Sequence, residues 1–524
     1  NNDGSTTTPA PQDWGGINVN VATGIFEHCI IRYGGNNGEN LYFYQADSAL
    51  FNFSISEYSH NFGVRAAYTD LYAENSSASN NGEDGIYVTN NKAIINNCVL
   101  NGNAGYAARV YNVELMEYTG NSGSGNGIDA FGISGTVPQD MTLSSASCGF
   151  PFVVNQDISV DQGKTLTLAP GEIVKIEYGE LKVYGTLIAE GSPGNEITLT
   201  SFEDDAHGGD LNGDGTATTP NPGDWNGIYL YGSSTNQGIG KFDFCNILYG
   251  GNSGGSADAN IYFNQSDTGY FKNSSCQYSY LQGLKANQTN IAVANSDFQN
   301  NLQYAARLNS VTIQNYPGNS ASNNGMDAFG IYGYVTSDLT WTETASSVIL
   351  SLVNDITVYD DVVLSIPPGT IIKADYGQFN VYGTLDVNGT ASDPVVFTSL
   401  QDDEYGGDIN NDGNATAPEP GDWKGIRLFG NGNDEGIGMF DYCRIRYGGN
   451  TSGSADANVF FNRSDTGYFK YSISEYSDFH GLKAEYTDIV VENSSFENND
   501  EYAAYLAYMT IRNYPGNTAT GNGV

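Results

Sequence analysis

Basic side chains are scarce in this chain of 524 residues: 20 Lys and Arg stand against 60 Asp and Glu, a formal net charge of −40. A nucleic-acid partner needs clustered cations to replace the counterions of phosphate, so that class is excluded. Histidine (4), cysteine (6) and proline (15) are also few. Cys29, Cys98, Cys148, Cys245, Cys276 and Cys443 are scattered without a C-x-x-C pair. That spacing gives neither a zinc site nor a redox motif, and burial as small apolar side chains is the expectation. No run approaches the roughly 18 consecutive apolar residues of a membrane span. The opening "NNDGSTTTPAPQDWGG" has neither the basic nor the apolar region of a signal peptide, which places any export signal outside the chain. Helical periodicity is missing as well, since Gly and Asn interrupt the sequence about every ten residues.

What is abundant is Gly (65), Tyr (37) and Phe (24), and the chain is 39% hydrophobic, too apolar for a disordered segment. Repetition organises it. "TPAPQDWGGI" at Thr8 returns as "TPNPGDWNGI" at Thr219 and "APEPGDWKGI" at Ala417, with Trp14, Trp225 and Trp423 in equivalent places. A constant 198 residues separates Trp225 from Trp423, Tyr249 from Tyr447, Gly185 from Gly383 and Asp129 from Asp327. Three tandem repeats are therefore expected, at 1–142, 143–340 and 341–524. The first carries an additional block, Gly82 to Asn103, the length of one smaller turn.

Those smaller turns are legible. "FKNSSCQYS" at Phe271, "VANSDFQNN" at Val293 and "IQNYPGNS" at Ile313 follow one another at steps of 22 and 20 residues. Each alternates apolar and polar residues between Gly and Asn turns, the signature of short strands with one buried face. The fold class expected is all-β: a right-handed parallel β-helix, or solenoid, of tandem units of about 198 residues. Asn273, Asn295 and Asn315 share one place in successive coils, as do Asn75 with Asn97 and Asn493 with Asn513. At a strand spacing of about 4.8 Å their amides can bond in a ladder, although each Asn also suits a left-handed turn by itself.

The blocks from Asp157 and Asp355, with "PG…IK…VYGTL…G…TS" followed by "GGDxNxDG…PGDWxGI", resemble the right-handed parallel β-helix tandem repeats of large secreted surface proteins of Bacteroidota, many of them exported by type IX secretion. The resemblance covers essentially the whole chain. It implies an extracellular or cell-surface location, and it is specific for fold rather than function, because β-helices host lyases, hydrolases, adhesins and stalks alike. "NNDG" at Asn1 matches Asn410 to Gly413, and Val524 aligns with Met326, so the chain is expected to be a window on a longer repeat protein.

The most ligand-like feature is the acidic loop before each tryptophan. Asp204, Asp205, Asp210, Asn212 and Asp214 occupy the second repeat's loop, and Asp402, Asp403, Asp408, Asn410 and Asp412 the third's; Asn1 and Asp3 are the first repeat's counterparts. D-x-N-x-D-G matches the start of an EF-hand loop, whose oxygens at positions 1, 3 and 5 converge on Ca²⁺. No Glu stands at position 12 and no helices flank the loop, so remaining oxygens would come from Asp224, Asp422 or backbone carbonyls. Structural Ca²⁺ and a solvated Asx-turn loop are the two readings. The tryptophans read as lids on the core, with sugar stacking by Trp and Tyr as the alternative.

Catalytic signals are weak. His28, His60, His207 and His480 occupy different places in their coils, and the Lys and Arg are dispersed. A polyuronate lyase needs basic residues to hold its anionic substrate, which a strongly negative surface repels. The expectation is a non-enzymatic structural or adhesive section of a giant extracellular protein, forming a rigid stalk or a surface filament for cell attachment or prey capture. Its partners would be further copies of itself in a filament, or a cell-surface glycan or cell. The alternatives are a carbohydrate-active β-helix enzyme, a polysaccharide lyase or glycoside hydrolase, and a carbohydrate-binding adhesin.

Overall fold

The computed structural model describes residues 7–36, 38–310, 317–341, 348–432, 435–509 and 514–524. Asn1, Asp3, Asn315 and Asn513 lie outside these residues. Apart from one four-residue helix, Ser145–Cys148, the described elements are strands. They form two compact units, residues 1–268 with 277–280, and 269–276 with 281–524. Each is a parallel β-solenoid, as the alternation and the short repeat require.

A coil holds three strands. In the first unit one coil runs Leu41–Tyr44, Ala49–Asn52, Ile55–Glu57, and the next Val64–Ala67, Leu71–Glu74, Ser77–Ser79. Each strand pairs in parallel with its counterpart one coil on: Leu41 with Val64, Phe51 with Ala73, Ser56 with Ala78. Alternate residues point inward, so Leu41, Phe43, Phe51, Val64, Ala66 and Ala73 are buried in one continuous core. In the second unit Ile366, Val387, Phe440 and Phe469 build the same kind of column from strands such as Thr384–Asn388 and Ile437–Asp441.

A strand turns into the next through one left-handed residue, and these residues stack. Phe53, Asn75 and Asn97 have φ of 48°, 50° and 51° at one corner, and Tyr68 and Asn90 have 52° and 58° at another. Asn suits this conformation, whereas Tyr and Phe reach it at a cost of about 1–2 kcal/mol each. Ring stacking with the adjacent coil offsets that cost. Tyr33 lies on Tyr58 with centroids 5.2 Å apart, Tyr249 on Tyr278 at 4.9 Å, Tyr442 on Tyr471 at 4.9 Å and Tyr447 on Tyr476 at 5.1 Å, all within 10° of parallel. Much of the tyrosine content is thus corner material. Of the expected corner Asn ladder, Asn295 donates to Asn273 Oδ1 at 3.3 Å. The next corner belongs to Gly318, φ 68°, since the Asn295 amide donates to Pro317 O.

A deeper ladder runs inside. Asn81 Nδ2 donates to Asn103 Oδ1, Asn103 Nδ2 to Asn126 Oδ1 and Asn126 Nδ2 to Asp129 Oδ1, each at 2.8 Å. Asn301, Asn324 and Asp327 repeat the series at 2.7 and 2.8 Å. A parallel column links small side chains: the amides of Cys29 and Ser54 donate to Ser54 Oγ and Ser76 Oγ, and that of Cys98 to Asn121 Oδ1. Cys443 enters the same kind of column beneath Ser472 and Ser494. All six cysteines are free, and all but the half-buried Cys29 are buried. Burial pushes the Cys98 thiol up to about 12.

Asn103→Ala removes both ladder bonds and leaves the buried Asn81 backbone and side-chain N–H groups without the carbonyl oxygen they share. Denaturant unfolding should show a loss of about 2–4 kcal/mol, against less than about 0.5 kcal/mol for the exposed control Asn414→Ala.

Candidate functional site

The acidic loops follow the strands Ile197–Ser201 and Val395–Ser399. Asp205, Asp210 and Asp214 bring one carboxylate oxygen each within 4.8 Å of the others, and so do Asp403, Asp408 and Asp412. Asp210 organises its turn: Oδ1 accepts the amide of Gly213 at 2.7 Å and Oδ2 that of Gly215 at 2.9 Å. Asp408 Oδ2 accepts Gly413 N at 2.8 Å. Asn212 and Asn410 belong to the same clusters, their Nδ2 donating to Asp214 at 3.1 Å and to Asp412 at 3.0 Å. Two buried oxygens there, Asp205 Oδ1 and Asn410 Oδ1, accept no hydrogen bond.

Four of the candidate ligands point elsewhere. Asp204 is 2% exposed and takes bonds from Thr200 Oγ1 (2.5 Å) and His207 Nδ1 (2.7 Å). Asp402, equally buried, takes them from Thr398 Oγ1 and Arg446 Nη1, the latter at 3.3 Å. Asp224 accepts Ser201 Oγ at 2.6 Å and Asn221 N at 2.9 Å, while Asp422 accepts Ser399 Oγ and Glu419 N. These four fasten the loops to the coil.

Each loop folds over a lysine of a strand, Ile173–Ile176 or Ile371–Ala374. Lys175 and Lys373 are 1% and 0% exposed, and their Nζ donate to Gly209 O and Gly407 O. Burial lowers the pKa of both, against the fields of Asp205 and Asp403 and the neighbouring aspartates. The signal was present in sequence, because the two lysines share the 198-residue step, in "IVK" and "IIK". The loops are also straps. Leu211 packs on Tyr106, Ala130 and Val153, and Ile409 on Ala328. Asn411 Nδ2 adds a bond to Asn324 O at 2.8 Å.

The tryptophans close this region. Trp225 and Trp423 are 1% and 0% exposed, and each indole N–H donates at 2.8 Å to a strand carbonyl, Leu248 O or Arg446 O. Trp14 makes the same bond to Arg32 O at 2.6 Å. Buried Asn260 and Asn458, unnoticed in sequence, pin the adjoining glycine turn by accepting from Gly250 N (2.7 Å) and Gly448 N (2.8 Å).

Basic residues, dispersed in sequence, meet aromatic rings in space. Tyr42, Arg65, Tyr87 and Arg109 share one outward register position on successive strands. Arg65 Cζ lies 4.9 Å from the Tyr42 centroid and Arg109 Cζ 4.6 Å from that of Tyr87. Glu39 and Asp84 pair with the two guanidiniums at 2.9 and 2.8 Å. Stacking of this kind uses the ring faces that sugar binding would need.

The repeats differ from one another by compensated exchanges. Asp157 pairs with Lys182 at 2.5 Å; in the third repeat Asn380 replaces that lysine, and Lys424 reaches the equivalent Asp355 at 3.1 Å. His207 serves Asp204, but with Tyr405 in its place Asp402 is served by Arg446. The second repeat has Leu248 and Gln277 where the third has Arg446 and Glu475, which pair at 3.1 Å. Gln282 donates to Gln303 at 2.5 Å, and their counterparts His480 and Glu501 approach to 3.4 Å. Arg446, 4% exposed, also binds Glu404 at 2.7 Å. Burial opposes its charge, but Glu404, Glu475 and Asp402 outweigh that and hold the pKa above the ordinary value.

Residues 333–462 match the family model of the pectate-lyase-like β-helix domain. The matched stretch, about a quarter of the chain, contains the third acidic loop, Trp423, Arg444 and Arg446. No curated protein matches the chain.

Arg446→Leu leaves buried Asp402 without its cation and Glu475 with Arg444 alone, and should cost about 3–5 kcal/mol in denaturant unfolding. Adding Glu475→Gln and Tyr405→His rebuilds the second repeat's arrangement and should recover most of it. Burial lowers the pKa of His480, despite Glu501 and Asp456, with Lys483 acting in the same direction as burial. The unfolded chain therefore takes up the proton first, and stability falls as pH drops below the ordinary histidine value of 6.5. Between pH 7.5 and 5.5 the melting temperature of His480→Gln should fall less than that of the unaltered chain.

Proposed function

We propose that this chain is a non-enzymatic structural and adhesive section of a large extracellular repeat protein, a stalk or surface filament whose acidic loops hold Ca²⁺. The observation that carries the structural reading is the compensated exchange between repeats. A catalytic group is tied to its position, whereas here a carboxylate keeps its partner's charge while that partner moves from Lys182 to Lys424 or from His207 to Arg446. Such exchange serves adhesion of coil to coil. The resemblance to exported surface repeats supports a cell-surface location and export of the type IX kind. Assembly with further copies into a filament used to hold other cells follows from the same resemblance. Electron microscopy of the native cell surface tests it: fibres containing several aligned copies are expected, and isolated single chains would rule the filament out.

Support for Ca²⁺ is the meeting of three carboxylates in each loop and the unsatisfied Asp205 Oδ1 and Asn410 Oδ1. Burial, then Asp408, raises the pKa of Asp403, the mark of a group short of positive charge. Lys175 and Lys373 each supply one charge against three, leaving room for a hard cation. Titration calorimetry should show Ca²⁺ uptake, and chelator should lower the melting temperature. Asp205→Asn with Asp403→Asn should abolish the heat without lowering stability in chelator. Absent heat together with chelator-insensitive melting would remove the ion from the account.

A second reading, a carbohydrate-active enzyme, is favoured by the pectate-lyase-like match and by Asp402, Glu404 and Arg446, which cluster only in the matched repeat among the described residues. Incubation with polyuronates and neutral glycans should release no product. Release that disappears in Arg446→Ala would establish the enzyme instead.

A further inference from the structure

An apolar row faces outward in the first repeat. In the five-stranded sheet of the first unit, Ile25 is in register with Leu50, Leu50 with Tyr72 and Tyr72 with Ile94. Their neighbours in each strand, such as Ala49, Phe51, Leu71 and Ala73, are buried in the core, so this row faces out. Ile25 is 61% exposed and Leu50, Tyr72 and Ile94 are half-buried; on the last strand the register shifts, so that Ile94 pairs with Glu117 and the 50% exposed Met116 sits beside the row. The equivalent outward positions are Lys241, Tyr270 and Ala292 in the second repeat and Met439, Tyr468 and Val490 in the third. The additional coil of the first repeat contributes Ile94 and so lengthens the row.

Acid flanks it. Glu27, Asn52 and Glu74 form the adjacent outward row on one side, which ends at the buried Asn96. Asp70, Lys92 and Glu114 stand on the other, where Lys92 is already paired with Glu114 at 3.4 Å. An apolar stripe between carboxylate rows is complementary to an apolar stripe between cations. A second copy of this acidic face would be repelled by it. Spacing narrows the partner further. The row crosses the strands at about 4.8 Å per step, close to the 5.4 Å rise of one helical turn, whereas same-side residues of an extended strand lie nearly 7 Å apart.

We infer that the outward row from Ile25 to Ile94 docks an amphipathic α-helix of another protein, apolar along one face and flanked there by Lys or Arg. Four strands span about 14 Å, which matches two to three helical turns. Apolar contact would supply the affinity, and the carboxylate rows would set the partner's charge and orientation. The docking is independent of Ca²⁺ in the acidic loops.

The test uses the full chain and a labelled Leu/Lys amphipathic helical peptide of about 18 residues, with a Leu/Glu peptide of the same design as its twin. Fluorescence anisotropy should show the Leu/Lys peptide binding and the Leu/Glu peptide not. Leu50→Ser with Ile94→Ser leaves every charge in place and should weaken binding roughly tenfold or more. Hydrogen exchange should slow on residues 49–52, 71–74 and 92–96 when the peptide is added. Should that variant melt early, Glu27→Gln with Glu74→Gln provides the second arm, with weakened binding again expected. Undiminished binding by a folded variant would mean that the peptide merely senses overall negative charge, and would overturn the proposal. Protection elsewhere, or equal binding of the Leu/Glu peptide, would overturn it too.

Discussion

Each coil is held to the next by parallel backbone hydrogen bonds, and their register survives only if the corners turn at the same place. The left-handed residue at each corner is therefore the constraint on which the rest depends. It explains why Asn, Gly and, against their own preference, Tyr and Phe fall in columns. It also explains the interior bonds: side chains one residue past a corner, such as Ser54, Ser76 and Cys98, face inward at equal height and link to the coil above. Loops, tryptophan lids and straps are attachments to that frame.

The frame was largely legible in sequence because its period is short and its punctuation regular. Alternation gave the strands, and the 198-residue step gave the larger repeat. The corner ladder was read with two members misplaced: Asn493 is followed by Gly516, φ 74°, rather than by Asn513, as Asn295 is by Gly318. Gly318, which needs no side chain to tolerate positive φ, follows Asn295, and the Asn series had been continued to Asn315. Stacked tyrosines escaped notice for the opposite reason, since nothing about Tyr33 or Tyr58 alone suggests a left-handed turn.

In the acidic loop, carboxylate type and spacing identified Asp205, Asp210 and Asp214 as companions. They did not distinguish Asp204, one residue away, because adjacent residues leaving a strand face opposite ways. Lys175 and Lys373 were missed although their repetition was visible. A lone lysine in an apolar strand carries no motif, and its meaning appears only when the loop carbonyls of Gly209 and Gly407 fold over it.

The first repeat's additional coil, 82–103, brings its own three corners and its own rungs: Asn103 takes its place between Asn81 and Asn126 at the same 2.8 Å on either side. A copying error that duplicates one coil's worth of codons therefore leaves a product with every joint still matched, while a slip of any other length would throw all later corners out of alignment. Genetic material encoding such a protein can grow or shrink in whole steps with little penalty, and selection is free to decorate a newly made step afterwards.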